Sequence, residues 1–266
     1  MNQGVVIIGA GPAGIMATNT LLDSGKIPGN HIILTYTGLD PWARSLEDQL
    51  PEGFMGAAFG KDLILAGTPE MGGDLVSYVG QQQAEGLFAQ ALKVVKNTVT
   101  EGNKPVTKYT PYKHHTITKE AMLEFAKLMW IKFTKAGVTI HQKQVEFQPD
   151  VVYSVFEDTV QGVDYKNYII ATGRTGYGGI HNFREWNNGA IQSQINYDND
   201  SHTLIHDRIP DWYLRNGYEM TTRPTSNFEI VDGMNIHAVG DILGTRCVMT
   251  AMAQGMVAAN HVITNL

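Results

Sequence analysis

At 266 residues the chain has room for one large α/β unit, or one unit carrying an inserted subdomain. Its 43% hydrophobic and 17% charged residues are ordinary for a globular protein, its net charge of −6 gives no general nucleic-acid footprint, and no stretch approaches a membrane span. Cys247 is the only cysteine, which excludes an intramolecular disulfide and a Cys-x-x-Cys redox pair and fits a reducing compartment.

Residues 4–8 read as a buried parallel strand, apolar and β-branched without alternation. That run is too short for the core of a signal peptide and no basic residue precedes it, so a cytoplasmic protein without a membrane anchor is expected. Residues 12–23 read as a helix stopped by Ser24-Gly25, and His31 to Tyr36 as a second strand, which makes a βαβ opening. The stretch 51–80 is rich in glycine, either as a flexible loop or as backbone pressed against a flat ligand. Residues 81–99 look helical, and 101–113, with Pro105 and Pro111, read as a connector.

Thr118 is a plausible cap for the next helix. There Met122, Phe125, Ala126, Met129, Trp130 and Phe133 repeat at helical spacing and define a core-facing stripe ended by Gly137. Val138 to His141 reads as a short strand, Val151 to Phe156 as another, with the region up to Gly162 as a small antiparallel β-meander, and Tyr168 to Ala171 as a further strand. Residues 174–232 lack periodicity. Asn235 to Val239 is the last strand, and 247–263 the last helix, whose Ala251, Ala253, Gly255, Ala258 and Ala259 allow close approach to a sheet or a ligand.

Gly9-Ala10-Gly11-Pro12-Ala13-Gly14 follows the first strand and opens a helix. Gly9 permits the tight turn, Gly11 lets backbone approach a pyrophosphate, and Gly14 lets the helix pack on the strand. The helix start favours the phosphate charge. Two further motifs come later, Ile169-Ile170-Ala171-Thr172-Gly173 and Ile236-His237-Ala238-Val239-Gly240-Asp241. In this order the three resemble the FAD-binding fold of glutathione-reductase-like FAD-dependent oxidoreductases, in a compact form without a separate NAD(P)H domain.

The resemblance implies a Rossmann-like α/β fold with a mostly parallel sheet, a small β-meander and a smaller inserted substrate region. It implies FAD as cofactor. Asp241 would accept hydrogen bonds from the ribityl hydroxyls, with Gly240 letting backbone pass close. Backbone N–H groups around Met249 and Thr250, at the start of the last helix, would meet the pyrimidine edge of the flavin. Ala171, Thr172 and Gly173 would pass near the FAD chain, and Val145 would meet adenine. Where the family ends its second strand with Glu or Asp for the adenosine ribose, this chain has Thr35-Tyr36-Thr37, followed by Asp40 and Arg44. Either Thr35 or Thr37 takes that place with its hydroxyl, or the ribose is held loosely; Thr35 and Arg44 are the cofactor-binding candidates here. The redox-cysteine motif of the disulfide reductases is absent, as is a second glycine loop. The flavin would then be reduced by the substrate, or by a reductant that binds transiently, and O2 would be the simplest reoxidant.

Lys61, His115 and Arg246 are the candidate acids, bases or substrate anchors, Arg246 because it directly precedes the flavin-facing helix. Each reads equally as a surface residue. His202 and His206, beside Asp207, have metal half-site spacing on a helix, but no third ligand follows, so no metal is expected. The lysines 104, 108, 113, 119, 127, 132, 135 and 143 crowd one stretch, as a solvated helix face or a patch for an anionic partner.

The expected organisation is an FAD-binding part in three pieces, 1–50, 117–173 and 233–266, with a flavin-covering insertion at 51–116 and a substrate region at 174–232. The expected function is an FAD-dependent oxidoreductase taking a hydride from substrate to flavin N5, with an amine or amino-acid-like group as one fitting substrate. The alternatives are a flavin-dependent lyase or modification enzyme acting on a group attached to nucleic acid, and a non-catalytic nucleotide-binding protein.

Overall fold

The computed structural model describes residues 3–46, 53–59, 64–142, 163–173, 192–197, 200–205, 225–231, 235–243, 245 and 247–266. In chain order these form β1 (Gln3–Ile8), α1 (Pro12–Asp23), β2 (Ile32–Tyr36), β3 (Ile64–Leu65), α2 (Leu75–Val79), α3 (Gln81–Thr98), β4 (Val106–Thr107), β5 (His115–Thr116), α4 (Lys119–Lys135), β6 (Thr139–Gln142), β7 (Asp164–Ile170), β8 (Gln192–Tyr197), β9 (Asp200–Ile205), β10 (Glu229–Val231), β11 (Ile236–Ala238) and α5 (Val248–Thr264).

The main sheet has the order β10-β11-β7-β1-β2-β6. Its five strands from β11 to β6 run parallel, and β10 joins β11 antiparallel at one edge. Val5, Val6, Ile7 and Ile8 of β1 are buried, as are Ile32, Ile33 and Leu34 of β2, because helices cover both faces of such a sheet and leave no side for alternating polar residues. This is an α/β, Rossmann-like fold with a mostly parallel sheet.

β7 begins at Asp164, earlier than its apolar run at Tyr168 suggests. Its polar start is held because the buried Asn167 donates its side-chain amide to Gly4 C=O at 3.3 Å. The short strand expected at 138–141 is β6, a parallel edge strand that pairs Ile33 with Thr139 through Tyr36 with Gln142. Val151 to Phe156 lies outside the described residues.

α4 follows its expected pattern. Thr118 Oγ1 accepts the Ala121 N–H at 3.1 Å, and Met122, Phe125, Ala126, Met129 and Phe133 are buried. Trp130 completes the stripe, meeting Tyr36 edge-on at 5.8 Å and Phe54 at 5.1 Å between ring centroids. The 101–113 connector carries β4, and β3, β5 and β4 make a second, three-stranded sheet in that order. β8 and β9 form an antiparallel pair inside the stretch read as unpatterned.

The crowded lysines divide. Lys119, Lys127, Lys132 and Lys135 lie on α4, while Lys108 and Lys113 lie on the loop between β4 and β5. Lys132 is spoken for, bonding Asp23 at 2.5 Å and Asn19 at 2.7 Å on α1. Among the described residues no helix is long and apolar enough to cross a membrane.

Candidate functional site

The glycine turn sits at the carboxyl end of β1, between the ends of β2 and β7. Gly9 has φ +108°, and a Cβ there would stand 2.3 Å from Ala171 O, so only glycine fits. Its N–H donates to Thr35 C=O at 2.8 Å, and Ala171 N–H donates to Ile8 C=O at 2.7 Å. A Cβ on Gly14 would lie 1.9 Å from Gly9 O, so glycine there lets α1 close on the turn. Gly11 differs. Among the described residues beyond its chain neighbours, a Cβ there would meet only Ala171 O, at 4.0 Å. Packing among the described residues does not call for glycine at that position.

Gly11 also caps α1, with Pro12 in its first turn, and the first intrahelical bond runs from Ile15 N–H to Gly11 C=O at 2.9 Å. The N–H groups before Ile15 have no acceptor inside the helix, and with the helix dipole they favour an anion.

The second turn arrives at the same place. Val239 N–H donates to Ile170 C=O at 2.9 Å, which carries β11 alongside β7 up to Gly240. Gly240 has φ +82°, and a Cβ on it would come within 3.0 Å of the Ala13 Cβ. Gly255 of α5 lies against the same residue, its absent Cβ 2.1 Å from Ala13 O. Ala13 is thus clasped between the Gly240 turn and α5. Asp241 follows Gly240 half-buried.

Gln254 fixes this turn. Its buried Oε1 accepts the Gly240 N–H at 2.7 Å and the Thr245 hydroxyl at 3.2 Å, and its Nε2 stands 3.0 Å from the same hydroxyl oxygen. Sequence reasoning passed over Gln254 and Thr245. The one available signal was a lone long polar residue on a helix of alanine, methionine and valine. Thr172, beside Gly9, supplies a further polar group: its hydroxyl is buried with no hydrogen-bond partner among the described residues, which is costly unless something meets it.

The glycine-rich stretch presses on the protein itself. A Cβ on Gly53 would strike Leu39 O at 2.2 Å, one on Gly72 the Cys247 Cβ at 2.9 Å, and one on Gly73 the Thr250 Cγ2 at 2.4 Å. Thr250 Oγ1 donates to Gly72 C=O, which straps this segment over the start of α5. Met55, at φ +58°, donates its N–H to Ala10 C=O at 2.7 Å and so braces the glycine turn, a role without any sequence signature. Arg44 is buried with its guanidinium 4.6 Å over the Phe59 ring, in the segment that follows Met55.

The structure therefore brings together Gly9, Gly11, Pro12, Ala13, Gly14, Ala171, Thr172, Gly240 and Asp241. Gly173 follows Thr172 at φ +71°. Met249 and Thr250 open α5 and are buried, and the first bond of that helix is Ala251 N–H to Cys247 C=O at 2.9 Å, so N–H groups before Ala251 lack an acceptor within it. The Thr35 side chain is buried and its carbonyl holds Gly9.

His115 lies on the small sheet, its Nδ1 2.8 Å from Thr107 Oγ1. Burial, then the charge of Lys96, then His114, lower its pKa and keep it neutral. Lys61, Val145 and Arg246 lie outside the described residues, as do His206 and Asp207, while His202 falls on a strand rather than a helix.

No family model matches the chain, and no curated protein matches it. Among solved structures it is similar to THI4 of Thermovibrio ammonificans, at 12% identity and TM-score 0.42, over 99% of this chain and 90% of that one. It is similar to a putative thioredoxin reductase, TrxB, from Bacillus anthracis, at 11% identity and TM-score 0.37, over 99% and 98%. A third likeness is CtdE in complex with FAD, at 13% identity and TM-score 0.30, over 74% of this chain and 43% of that one.

Proposed function

We propose that this chain is an FAD-dependent oxidoreductase. The observation that carries the reading is the packing of Gly240 on Ala13, which sets the phosphate-type turn and the Gly-Asp turn side by side at the carboxyl ends of β1, β7 and β11. The room at Gly11 and the unpartnered Thr172 hydroxyl fit an elongated ligand lying across this edge.

In this reading the start of α1 binds the pyrophosphate, Asp241 accepts hydrogen bonds from the ribityl hydroxyls, and Gln254 keeps Gly240 in place to allow it. Thr172 bonds the passing chain, with Ala171 and Gly173 beside it. N–H groups around Met249 and Thr250 donate to the pyrimidine edge and stabilise negative charge there. Arg44 serves the adenosine end together with Val145, and Thr35 positions the glycine turn in place of holding the ribose. FAD, when bound, supplies a hydride acceptor at N5. Lys61, His115 and Arg246 are the groups offered for proton transfer or substrate anchoring. The substrate class is an amine or amino-acid-like molecule, with O2 or a transiently bound reductant completing the cycle.

A visible absorbance spectrum of the purified chain, followed by anaerobic bleaching with amines, amino acids and NAD(P)H, tests this. Bound flavin that bleaches with an amine or amino acid supports it. Flavin that no reductant bleaches favours a non-catalytic nucleotide-binding protein. A second reading, an enzyme acting on a group attached to nucleic acid, is favoured by one feature, the loop between β4 and β5.

A further inference from the structure

The three-stranded sheet exposes apolar residues that nothing in the described chain covers. Val106 of β4 and Ile64 of β3 both pair with Thr116 of β5, so they stand on one face, and they are 65% and 46% exposed. Leu65, next to Ile64, and His115, next to Thr116, turn inward and are buried. Beyond this face the loop 108–114 reads Lys-Tyr-Thr-Pro-Tyr-Lys-His. Tyr109 is 91% exposed and Tyr112 53%, each beside an exposed lysine, Lys108 or Lys113.

The loop is built rather than slack. Lys108 N–H donates to His114 C=O at 2.8 Å, Lys113 N–H to Thr110 C=O at 3.0 Å, and Thr110 Oγ1 lies 3.1 Å from His114 Nδ1. Its far side is seated on Gly67, where a Cβ would strike Lys113 O at 1.6 Å. Both tyrosines are therefore presented at little cost in conformational entropy. The local charge is positive, since residues 104–116 carry Lys104, Lys108 and Lys113 and no Asp or Glu, while the whole chain carries −6.

We propose that this aromatic and lysine-flanked hairpin binds single-stranded nucleic acid. Bases stack on Tyr109 and Tyr112, Val106 and Ile64 extend the apolar platform, and Lys108 and Lys113 meet phosphates. Two aromatic faces, each with its own cation, match the base-and-phosphate repeat of a single strand. The segment from Gly67 to Gly73 runs from beneath this loop to the start of α5, a span of at most ~20 Å for six residues. A strand held on the hairpin thus lies within reach of the Gly240 edge. This deepens the second reading above and stands without it, because binding needs no flavin.

The test is fluorescence anisotropy of labelled oligothymidylate with the full chain, with and without added FAD, over a salt series. Salt-dependent binding, unchanged by FAD, is the expected result. Tyr109→Ser and Tyr112→Ser should each weaken it about tenfold, and Tyr109→Phe should retain it. Lys108→Gln and Lys113→Gln should each lower the salt slope by about 0.7. No binding at low salt, or equal binding by the serine variants, overturns the proposal. So does a tyrosine-dependent self-association in sedimentation, or tyrosine-dependent binding to anionic phospholipid vesicles, in place of oligothymidylate binding. Absence of flavin with oligonucleotide binding intact would overturn the FAD reading alone.

Discussion

Gly240 and Ala13, far apart in sequence, stand where a single added methyl group on the glycine would come within 3.0 Å of the alanine Cβ. That contact joins the end of β11 to the start of α1. Gly255 closes the other side of Ala13, so three small residues bring two backbone turns and two helices to one point.

Gly255→Ala tests this clasp. Its new Cβ would fall 2.1 Å from Ala13 O, backbone that has nowhere to move, so α5 must shift from α1. Overpacking of this kind costs about 1–3 kcal/mol. Denaturant unfolding should show that loss, and wild-type stability in the variant would contradict the packing.

Gln254→Leu removes the acceptor for Gly240 N–H and the partner of Thr245 while keeping the side chain's bulk. A buried N–H left without an acceptor costs about 1–3 kcal/mol. Stability should fall by that amount, and flavin content should fall with it, because the turn that carries Asp241 loses its tether. Flavin content unchanged in a destabilised variant would separate the turn from the cofactor.

Much of this was legible in the chain itself. The unbroken β-branched run at 5–8 followed by glycines at 9, 11 and 14 specifies strand, turn and helix locally, as does Thr118 ahead of the α4 stripe. What escaped notice depends on partners distant in sequence. β6 looks like any short strand until β2 lies beside it, and Gly72 and Gly73 look like loop until Cys247 and Thr250 press on them. The Thr35 carbonyl holds Gly9 through a backbone bond that no side-chain pattern announces. Met55 has a left-handed backbone that no side-chain preference announces.

Thr172→Val separates stability from binding. The hydroxyl is buried without a partner, so its loss should leave the free protein as stable or slightly more so. FAD affinity should drop by roughly five- to tenfold, the worth of one hydrogen bond of about 1 kcal/mol. Isothermal titration beside thermal melts checks both. Unchanged affinity would take Thr172 out of the site.

A pH dependence follows from His237. It is fully buried on β11, its Nε2 2.9 Å from His261 Nδ1 and its Nδ1 facing Tyr168 C=O at 3.4 Å, while Asn265 Nδ2 lies 3.0 Å from His261 Nε2. Burial first, and the His261 charge second, lower its pKa from 6.5 to about 4. Between those values the unfolded chain takes up a proton that the folded chain refuses. The stabilisation is full above pH 6.5 and is lost as pH falls toward 4, about 3 kcal/mol in all. Unfolding free energies measured across that window should slope steeply for the wild type and less for His237→Gln. Equal slopes would place the acid sensitivity elsewhere.

Titration of the flavin-stripped chain with FAD, comparing wild type with Gly11→Ala and Asp241→Ala, bears most directly on the paired turns. Gly11→Ala adds a Cβ with no described atom beyond its chain neighbours nearer than 4.0 Å, so it should melt like the wild type and still lose the cofactor, and Asp241→Ala should bind FAD far more weakly. Wild-type FAD affinity in both variants, or no FAD binding by the wild type itself, would contradict the account.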